Sequence, residues 1–226
     1  MFYSFDEQLV HFVMWDSEAF WSQPADSQTA MTNWLIADLA KANANRGVVP
    51  WVIALSHKTW WMDSTLNCPD GAGCGIWKIL VEGGVDLSVS GHIHYYARNF
   101  AQYPNANNGA GAVDTACANN NLGNSTHPAA IYTDCTLMPT IITAAPGDQE
   151  VNRRRVEHKL ASGAGQATVT STDNYGFSLM QIVNATHLHW TFSTAVPHVN
   201  STNPDYSDDL WLVVNNHGPR TNLPPV

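Results

Sequence analysis

Residues 86–99 read DLSVSGHIHYYARN, and the interpretation of the whole chain depends on this stretch. An apolar, β-prone run ends at Gly91, and His92 and His94 follow with one residue between them. A short continuous apolar run is typical of a buried strand. Imidazoles placed directly after such a strand fit either a polar loop or a metal site, because neutral imidazole binds zinc, iron, manganese and copper.

A second apolar run, PWVIALSH at residues 50–57, puts another histidine in the equivalent position. The intervening segment GIWKILVEGG, residues 75–84, predicts a short helix that ends at its glycine pair. Strand, helix and strand in succession form a βαβ unit with parallel strands, whose carboxyl ends carry ligand sites in α/β sheets. We therefore expect His57, His92 and His94 to converge at one sheet edge as metal ligands, the last two sharing a face of an extended segment.

The other patterns predict an α/β protein with additional antiparallel strands. The predicted elements are two strands in 2–16, a helix in 26–46 capped by Asp26 or Ser27, an apolar strand at 139–148, a hairpin in 175–193 that turns near Asn184, and loops at 101–128 and 152–174.

Composition limits the classes of partner. The 226 residues are 44% hydrophobic and carry a formal net charge of −9. Nucleic acid and anionic membranes require a basic face, so neither is expected as a partner. The chain also lacks an apolar run of the ~18 residues that a membrane span needs.

Three sequons and four cysteines favour a secreted or extracellular protein. The sequon asparagines are Asn124, Asn184 and Asn200. The cysteine spacing favours two local disulfides, one between Cys68 and Cys74 and one between Cys117 and Cys135. The first residues lack the basic region of a signal peptide, so we expect the natural protein to continue upstream.

Taken together, the two histidine segments resemble the C-terminal half of the purple acid phosphatases, within the calcineurin-like metallophosphoesterases. That family carries the blocks GDxG, GDxxY, GNH(D/E), VxxH and GHxH in this order. Residues 54–57, ALSH, are similar to the fourth block with Ala54 in place of valine, and residues 91–94, GHIH, match the fifth. The flanking segments YSFDEQLVHFVMWDSE, NWLIADLAKAN, TIITAAPGDQE and NYGFSLMQIVNATHLHW extend the resemblance over roughly residues 2–192.

The resemblance implies half of a four-layer α/β/β/α metallophosphoesterase sandwich, with a mixed sheet and C-terminal antiparallel strands. Residues 1–196 would be the C-terminal portion of that domain, without its N-terminal portion, and residues 197–226 a Pro/Asn-rich tail.

The implied activity is metal-dependent hydrolysis of phosphate monoesters of the acid phosphatase type. In the family, iron pairs with zinc, manganese or a second iron. His57 and His92 would serve the divalent metal, and His94 the iron. The first three blocks do not occur in the chain, so we expect it to hold at most one ion, to require the missing N-terminal half or a completing chain, and to contribute no assigned catalytic residue of its own.

Several further candidates remain open. Asp63, Asp148 and Glu150 are the carboxylates that follow the predicted strands, and Arg98 is expected to brace the loop after the histidines. The loop after His57 lacks the additional histidines that many relatives carry there. The alternative to an enzyme is a secreted glycoprotein or assembly subunit on a degenerate phosphatase scaffold, and a mononuclear zinc hydrolase is a third possibility. Without the missing half, an apolar sheet edge and face should be exposed.

Overall fold

The structure, a computed structural model, describes residues 1–19, 24–59, 61–62, 65–66, 73–103, 112–118, 129–144, 168–196, 205–221 and 223. In chain order the elements are β1 (Tyr3–Glu7), β2 (Val10–Met14), α1 (Ala25–Ala44), β3 (Trp51–Ser56), β4 (Trp61–Met62), β5 (Thr65–Leu66), α2 (Gly73–Glu82), β6 (Leu87–Ser90), β7 (Tyr96–Tyr103), β8 (Ala112–Asp114), β9 (Ala130–Thr133), β10 (Met138–Thr143), β11 (Thr168–Thr172), β12 (Tyr175–Ile182), β13 (His187–Val196) and β14 (Ser207–Val213).

The larger sheet has a parallel centre. Its order is β1-β2-β3-β6-β10-β7-β11, with β8 paired to β7. Strands β2, β3, β6 and β10 are parallel, whereas β1, β7, β8 and β11 join antiparallel. Ala54 lies opposite Ser88 in the β3–β6 pair, so the predicted βαβ unit is confirmed.

The smaller sheet has the order β12-β13-β14-β9. The predicted hairpin forms its first two strands, and Met180 lies opposite Trp190. Strand β14 comes from the segment that the sequence set apart as a tail. It nevertheless occupies the interior of the sheet, antiparallel to β13 and parallel to β9.

Two apolar cores hold the layers together. On one face of the larger sheet, α1 and α2 contribute Leu35 and Trp77, which are buried with Ala54 of β3. On the other face, Ile53 is buried in a cluster that includes Trp190 of the smaller sheet. The helices, the larger sheet and the smaller sheet thus form three successive layers. This arrangement agrees with the predicted mixed α/β fold, because each apolar face is covered by another layer.

A buried ion pair joins the two sheets. Arg98 of β7 donates from Nε and Nη2 to the two carboxylate oxygens of Asp208 in β14, at 2.7 and 2.9 Å. The Tyr96 hydroxyl donates to the same carboxylate at 2.6 Å. Arg98 Nη1 donates to the Tyr132 hydroxyl at 2.8 Å, and burial raises the pKa of Tyr132 to about 12. Arg98 therefore braces the two sheets rather than the loop for which the sequence predicted it.

The helix termini partly follow the sequence signals. Gly84, with φ 78°, ends α2: its N–H donates to Val81 O, while Val85 N–H donates to Leu80 O. These two hydrogen bonds to the last turn form a Schellman motif, which confirms the prediction that the helix ends at its glycine pair. The predicted cap of α1 is wrong. Pro24 occupies the cap position without a side-chain hydrogen bond.

Several strands fall where the sequence predicted loops or gave no strand, among them β7, β8 and β11. Strand β7 follows the histidine segment, β8 lies in the predicted loop 101–128, and β11 lies in the predicted loop 152–174. Polar residues explain why the sequence did not predict β7 and β11 as strands. Arg98 and Asn99 are buried in β7 because they pair with polar partners, and the sequence of β11 is TVTST.

The predicted disulfide between Cys117 and Cys135 is present. It lies beside Asp114, whose carboxylate accepts hydrogen bonds from the backbone of Cys117 and Thr136. The predicted bond between Cys68 and Cys74 lies outside the residues whose side chains the structure describes.

Candidate metal site

The sheet topology brings two of the three candidate ligands together. His57 follows β3, and His92 follows the neighbouring parallel strand β6, where Ser56 lies opposite Ser90. One more bond continues the pairing beyond the strands: Gly91 N–H donates to His57 O at 3.0 Å. Both histidines therefore stand at the carboxyl edge of the sheet, as expected from the βαβ pattern.

The two imidazoles face each other through nitrogen. His92 Nδ1 lies 3.2 Å from His57 Nε2, and the ring planes meet at 74°. Two nitrogen ligands at the usual zinc distance lie about 3.3 Å apart in tetrahedral geometry. The observed separation fits two ligands of one ion, and it also fits a hydrogen bond between one protonated and one unprotonated nitrogen.

A cluster of three ligands does not form around this pair among the described residues, where no group of three or more His, Cys, Asp or Glu side chains is arranged to hold a metal ion. The physical reason is the backbone: Ile93 N–H bonds to Gly91 O, and Tyr95 N–H bonds to Ile93 O, so this segment bends instead of extending. The alternation that would place His92 and His94 on one face requires a strand.

His92 carries an unusual backbone conformation. Its φ of 68° lies in the left-handed region, which costs a residue with a side chain roughly 1–2 kcal/mol. Gly91 does not need its conformational freedom, because a methyl group there would meet ordinary contacts at 3.6 and 3.7 Å. Strain of this kind persists where the surroundings hold it, and it occurs often at functional sites.

The loop after β2 supports the loop that carries His57. Trp15 N–H donates to Leu55 O at 3.1 Å, and Lys58 N–H donates to the buried hydroxyl of Ser17 at 2.8 Å. Lys58 Nζ also pairs with Glu18 at 2.9 Å. These contacts fix the backbone on both sides of His57.

Burial and charge lower the pKa of His92. The largest cause is desolvation, followed by the nearby His57 and Lys58, while Glu18 acts in the opposite direction. An imidazole with a lowered pKa keeps its lone pair to lower pH, and a metal ligand needs that lone pair.

An open cavity of about 410 Å³ adjoins the pair. It lies at the carboxyl ends of β2, β3, β6 and β10. One wall comes from the β1–β2 hairpin and the residues beside it through Tyr3, Met14 and Trp15, and the floor includes His57 and Gly91. Strand ends of a parallel sheet thus form both the imidazole pair and the space in front of it.

Several other predicted site residues lie outside the described part of the chain. They are Asp63, Asp148, Glu150, Asn124, Asn200 and Cys68. Asn184 is described, and it sits in the exposed turn between β12 and β13.

The structure also gives positions to histidines without a predicted role. His189 lies on β13 beside Asp209, with 2.8 Å between Nε2 and Oδ1. His11 is buried between two carboxylates, an arrangement that the sequence did not reveal because its partners are five and 27 residues away.

The layered sheets form a metallophosphoesterase fold, as their similarity to a purple acid phosphatase structure shows. Residues 140–203 match the family model described as iron/zinc purple acid phosphatase-like protein C. The resemblance to purple acid phosphatases is thereby confirmed.

Similar proteins support the same relationship. Purple acid phosphatase 18 of Arabidopsis thaliana is 27% identical over 94% of this chain and 40% of its own length. Purple acid phosphatase PPD1 from yellow lupin superposes with a TM-score of 0.57 at 14% identity, over 94% of this chain and 32% of its own. GAP50, the anchor in the inner membrane complex of Plasmodium, superposes with a TM-score of 0.51 at 13% identity, over 91% of this chain and 53% of its own.

The chain spans less than half the length of the two purple acid phosphatases and about half that of GAP50. Among the described residues, no helix combines the length and apolar character needed to cross a bilayer.

Proposed function

We propose that these residues are the C-terminal half of a metal-dependent acid phosphatase that hydrolyses phosphate monoesters. His57, His92 and His94 would supply its nitrogen ligands, and the complete site would hold iron together with zinc, manganese or a second iron. When bound, such ions activate water and stabilise charge on the phosphoryl oxygens.

One observation carries this proposal. Two imidazole nitrogens from adjacent parallel strands lie 3.2 Å apart at the mouth of a cavity, and the histidine that presents one of them has a left-handed backbone. The relationship to purple acid phosphatases gives this geometry its chemical meaning.

The protein's own residues would bind the metal ions and orient the phosphate ester. Ser17 and the paired Gly91 and His57 backbones hold the two ligand loops in register. The cavity in front of them offers a place for the ester, and Lys58 contributes positive charge beside the pair. Proton transfer to the leaving oxygen is not assigned to a residue of this chain.

Completion by an N-terminal half is part of the proposal. The described residues do not form a group of three metal ligands. An ion bound by only the two imidazole nitrogens would keep open coordination positions. We therefore propose that this chain alone binds at most one ion, and that the bimetallic centre needs ligands from the other half.

Metal titration of the purified chain tests the ligand assignment. Calorimetry with Zn²⁺ should give one site, and His57→Ala or His92→Ala should weaken it at least about tenfold, as loss of a ligand does. His189→Ala is the matched control, because it removes a half-exposed imidazole from another sheet. Equal zinc affinity in all four proteins would overturn the assignment.

Complementation tests the reaction. The chain alone should show no hydrolysis of p-nitrophenyl phosphate with iron and zinc. Mixed with a separately expressed N-terminal half of Arabidopsis purple acid phosphatase 18, it should become active, and His57→Ala should abolish that activity. If neither the wild-type chain nor His57→Ala hydrolyses the ester in the mixture, although the wild-type chain binds zinc, the proposed reaction is unsupported.

A non-catalytic scaffold is the second candidate. The supporting observation is that the His57 and His92 nitrogens can satisfy each other by a hydrogen bond, while the described side chains form no cluster of three ligands. The fold also occurs in GAP50, which is described as an anchor. This candidate predicts that the chain does not bind zinc.

We further propose that the protein is secreted and carries a glycan at Asn184. Its amide oxygen accepts bonds from the Thr186 and His187 backbone N–H groups at 2.8 and 2.9 Å, within an exposed turn. The disulfide between Cys117 and Cys135 suits an oxidising compartment. Expression in a eukaryotic secretory host should give a mass decrease on glycosidase treatment, and Asn184→Gln should reduce that decrease.

A further inference from the structure

A buried histidine on β2 lies between two carboxylates. His11 Nδ1 is 2.5 Å from Asp6 Oδ1 of β1, and His11 Nε2 is 2.9 Å from Asp38 Oδ2 of α1. The Ser4 hydroxyl of β1 donates to the other Asp38 oxygen at 2.6 Å. The side chains of His11 and Asp38 are each 8% exposed.

This arrangement requires a charged imidazole. Each ring nitrogen faces a carboxylate oxygen, and a carboxylate accepts but does not donate at neutral pH. Both nitrogens must therefore carry protons, so His11 is an imidazolium when both bonds are made. Loss of either proton leaves a buried lone pair opposite a negative oxygen.

The charged groups around His11 all favour that state. Asp38 of α1 and Asp6 of β1 raise the pKa of His11 by hydrogen bonding and charge, and together they outweigh burial, which lowers it. Lys41 of α1 acts on Asp38, helping to lower its pKa. Val52, opposite His11 in β3, adds no charge.

The contacts join the β1–β2 hairpin to α1. The hairpin is the outer part of the larger sheet, with Asp6 opposite His11. Tyr3 and Met14 of the same hairpin line the cavity in front of His57. Whatever holds β1 in place thus also holds one wall of that cavity.

We propose that His11, Asp6 and Asp38 form a pH-dependent clamp that fixes the β1–β2 hairpin, and with it the cavity wall, while the imidazole is protonated. This role belongs to positioning and does not depend on the proposed phosphatase activity. The clamp is closed at low pH and opens as pH rises through the point at which His11 loses its proton.

The sign follows from linkage. The folded-state pKa of His11 is raised, so its contribution is complete below the ordinary histidine value and is lost as pH rises through the folded value. The pKa of Asp38 is lowered, so its contribution is lost only as pH falls through a value below that of ordinary aspartate. Between these limits both carboxylates and the imidazolium are charged.

Hydrogen exchange of the whole chain tests the clamp. Amide protection in β1 and β2, corrected for intrinsic exchange, would be compared at about pH 5.5 and about pH 8.5. The hairpin should lose protection relative to β3 at the higher pH. The loss should be about tenfold for each unit by which the His11 pKa, measured by NMR, exceeds its ordinary value.

Two variants separate the clamp from general pH effects. His11→Gln should remove the pH dependence of hairpin protection, whereas His189→Gln, which removes a histidine paired with one carboxylate, should retain it. If His11→Gln does not fold, the wild-type measurement still decides. Equal hairpin protection at both pH values, or an unshifted His11 titration, would overturn the proposal.

Discussion

Arg98 and Asp208 stand 110 positions apart in the chain, yet their side chains form a two-pronged ion pair with exposures of 1% and 0%. The pair lies between the two sheets and links β7 to β14. Tyr96 and Arg98 together donate three bonds to this carboxylate. Charges so deeply buried are tolerated because each is paired and hydrogen-bonded: Asp208 accepts from Arg98 and Tyr96, and Arg98 also donates to Tyr132.

Asp208→Asn should therefore be strongly destabilising. Removing one charge of a buried pair typically costs about 3–5 kcal/mol, because the remaining guanidinium is left uncompensated. Urea unfolding followed by tryptophan fluorescence measures the change. Asp209→Asn is the matched control: its carboxylate is 44% exposed, and the change should stay within about 0.5 kcal/mol. Equal losses in the two variants would contradict the role assigned to the ion pair.

His92→Gly should separate stability from metal binding. Glycine adopts the left-handed region without the penalty that His92 carries there, so the free energy of unfolding should rise by up to about 1 kcal/mol. The same change removes Nδ1, so zinc binding should disappear. Gly91→Ala should leave stability nearly unchanged, since its new methyl group finds only ordinary contacts. A loss of stability in His92→Gly would show that the imidazole itself supports the loop.

The disulfide between Cys117 and Cys135 should contribute measurably to stability. It closes a segment with a sequence separation of 18 residues, for which chain entropy predicts about 3 kcal/mol. The double variant Cys117→Ala, Cys135→Ala should lower the unfolding midpoint accordingly. An unchanged midpoint would mean that the surrounding bonds of Asp114 suffice to hold the segment.

Two apolar side chains on β12 should promote self-association. Phe177 and Leu179 are each 61% exposed on the outer face of the smaller sheet. Apolar groups exposed together on an edge strand favour contacts between molecules. The double variant Phe177→Thr, Leu179→Thr should associate less, which sedimentation velocity detects as a lower average sedimentation coefficient. The unfolding midpoint should change little. Persistence of the same association would direct attention to the exposed Tyr3 and Phe5 on β1, the edge strand of the larger sheet.

The sequence predicted the elements that follow simple periodicity. The runs before His57 and His92 are continuous and apolar because both faces of the central strands are covered, one by helices and one by the smaller sheet. The hairpin that turns near Asn184 alternates because one of its faces is exposed. In both cases local pattern and tertiary environment agree.

The sequence failed where long-range polar partners decide the outcome. The sequence around Arg98 is typical of a loop, because the burial of this arginine in β7 depends on its distant partner Asp208. The sequence around His11 likewise does not reveal its second carboxylate partner, Asp38. The expected trio of histidines assumed an extended segment after Gly91. The left-handed conformation of His92 redirects the backbone there, and periodicity does not encode it.

The place of β14 bears on the order of events during synthesis. Strand β9 leaves the ribosome before β10 to β13, but its neighbour in the sheet, β14, follows only after those strands have been made. The smaller sheet therefore cannot close until β14 has emerged, and until then Tyr132 and Arg98 lack the strand that covers them. A premature stop codon anywhere before Ser207 would leave a nascent protein whose two sheets have lost the aspartate that joins them.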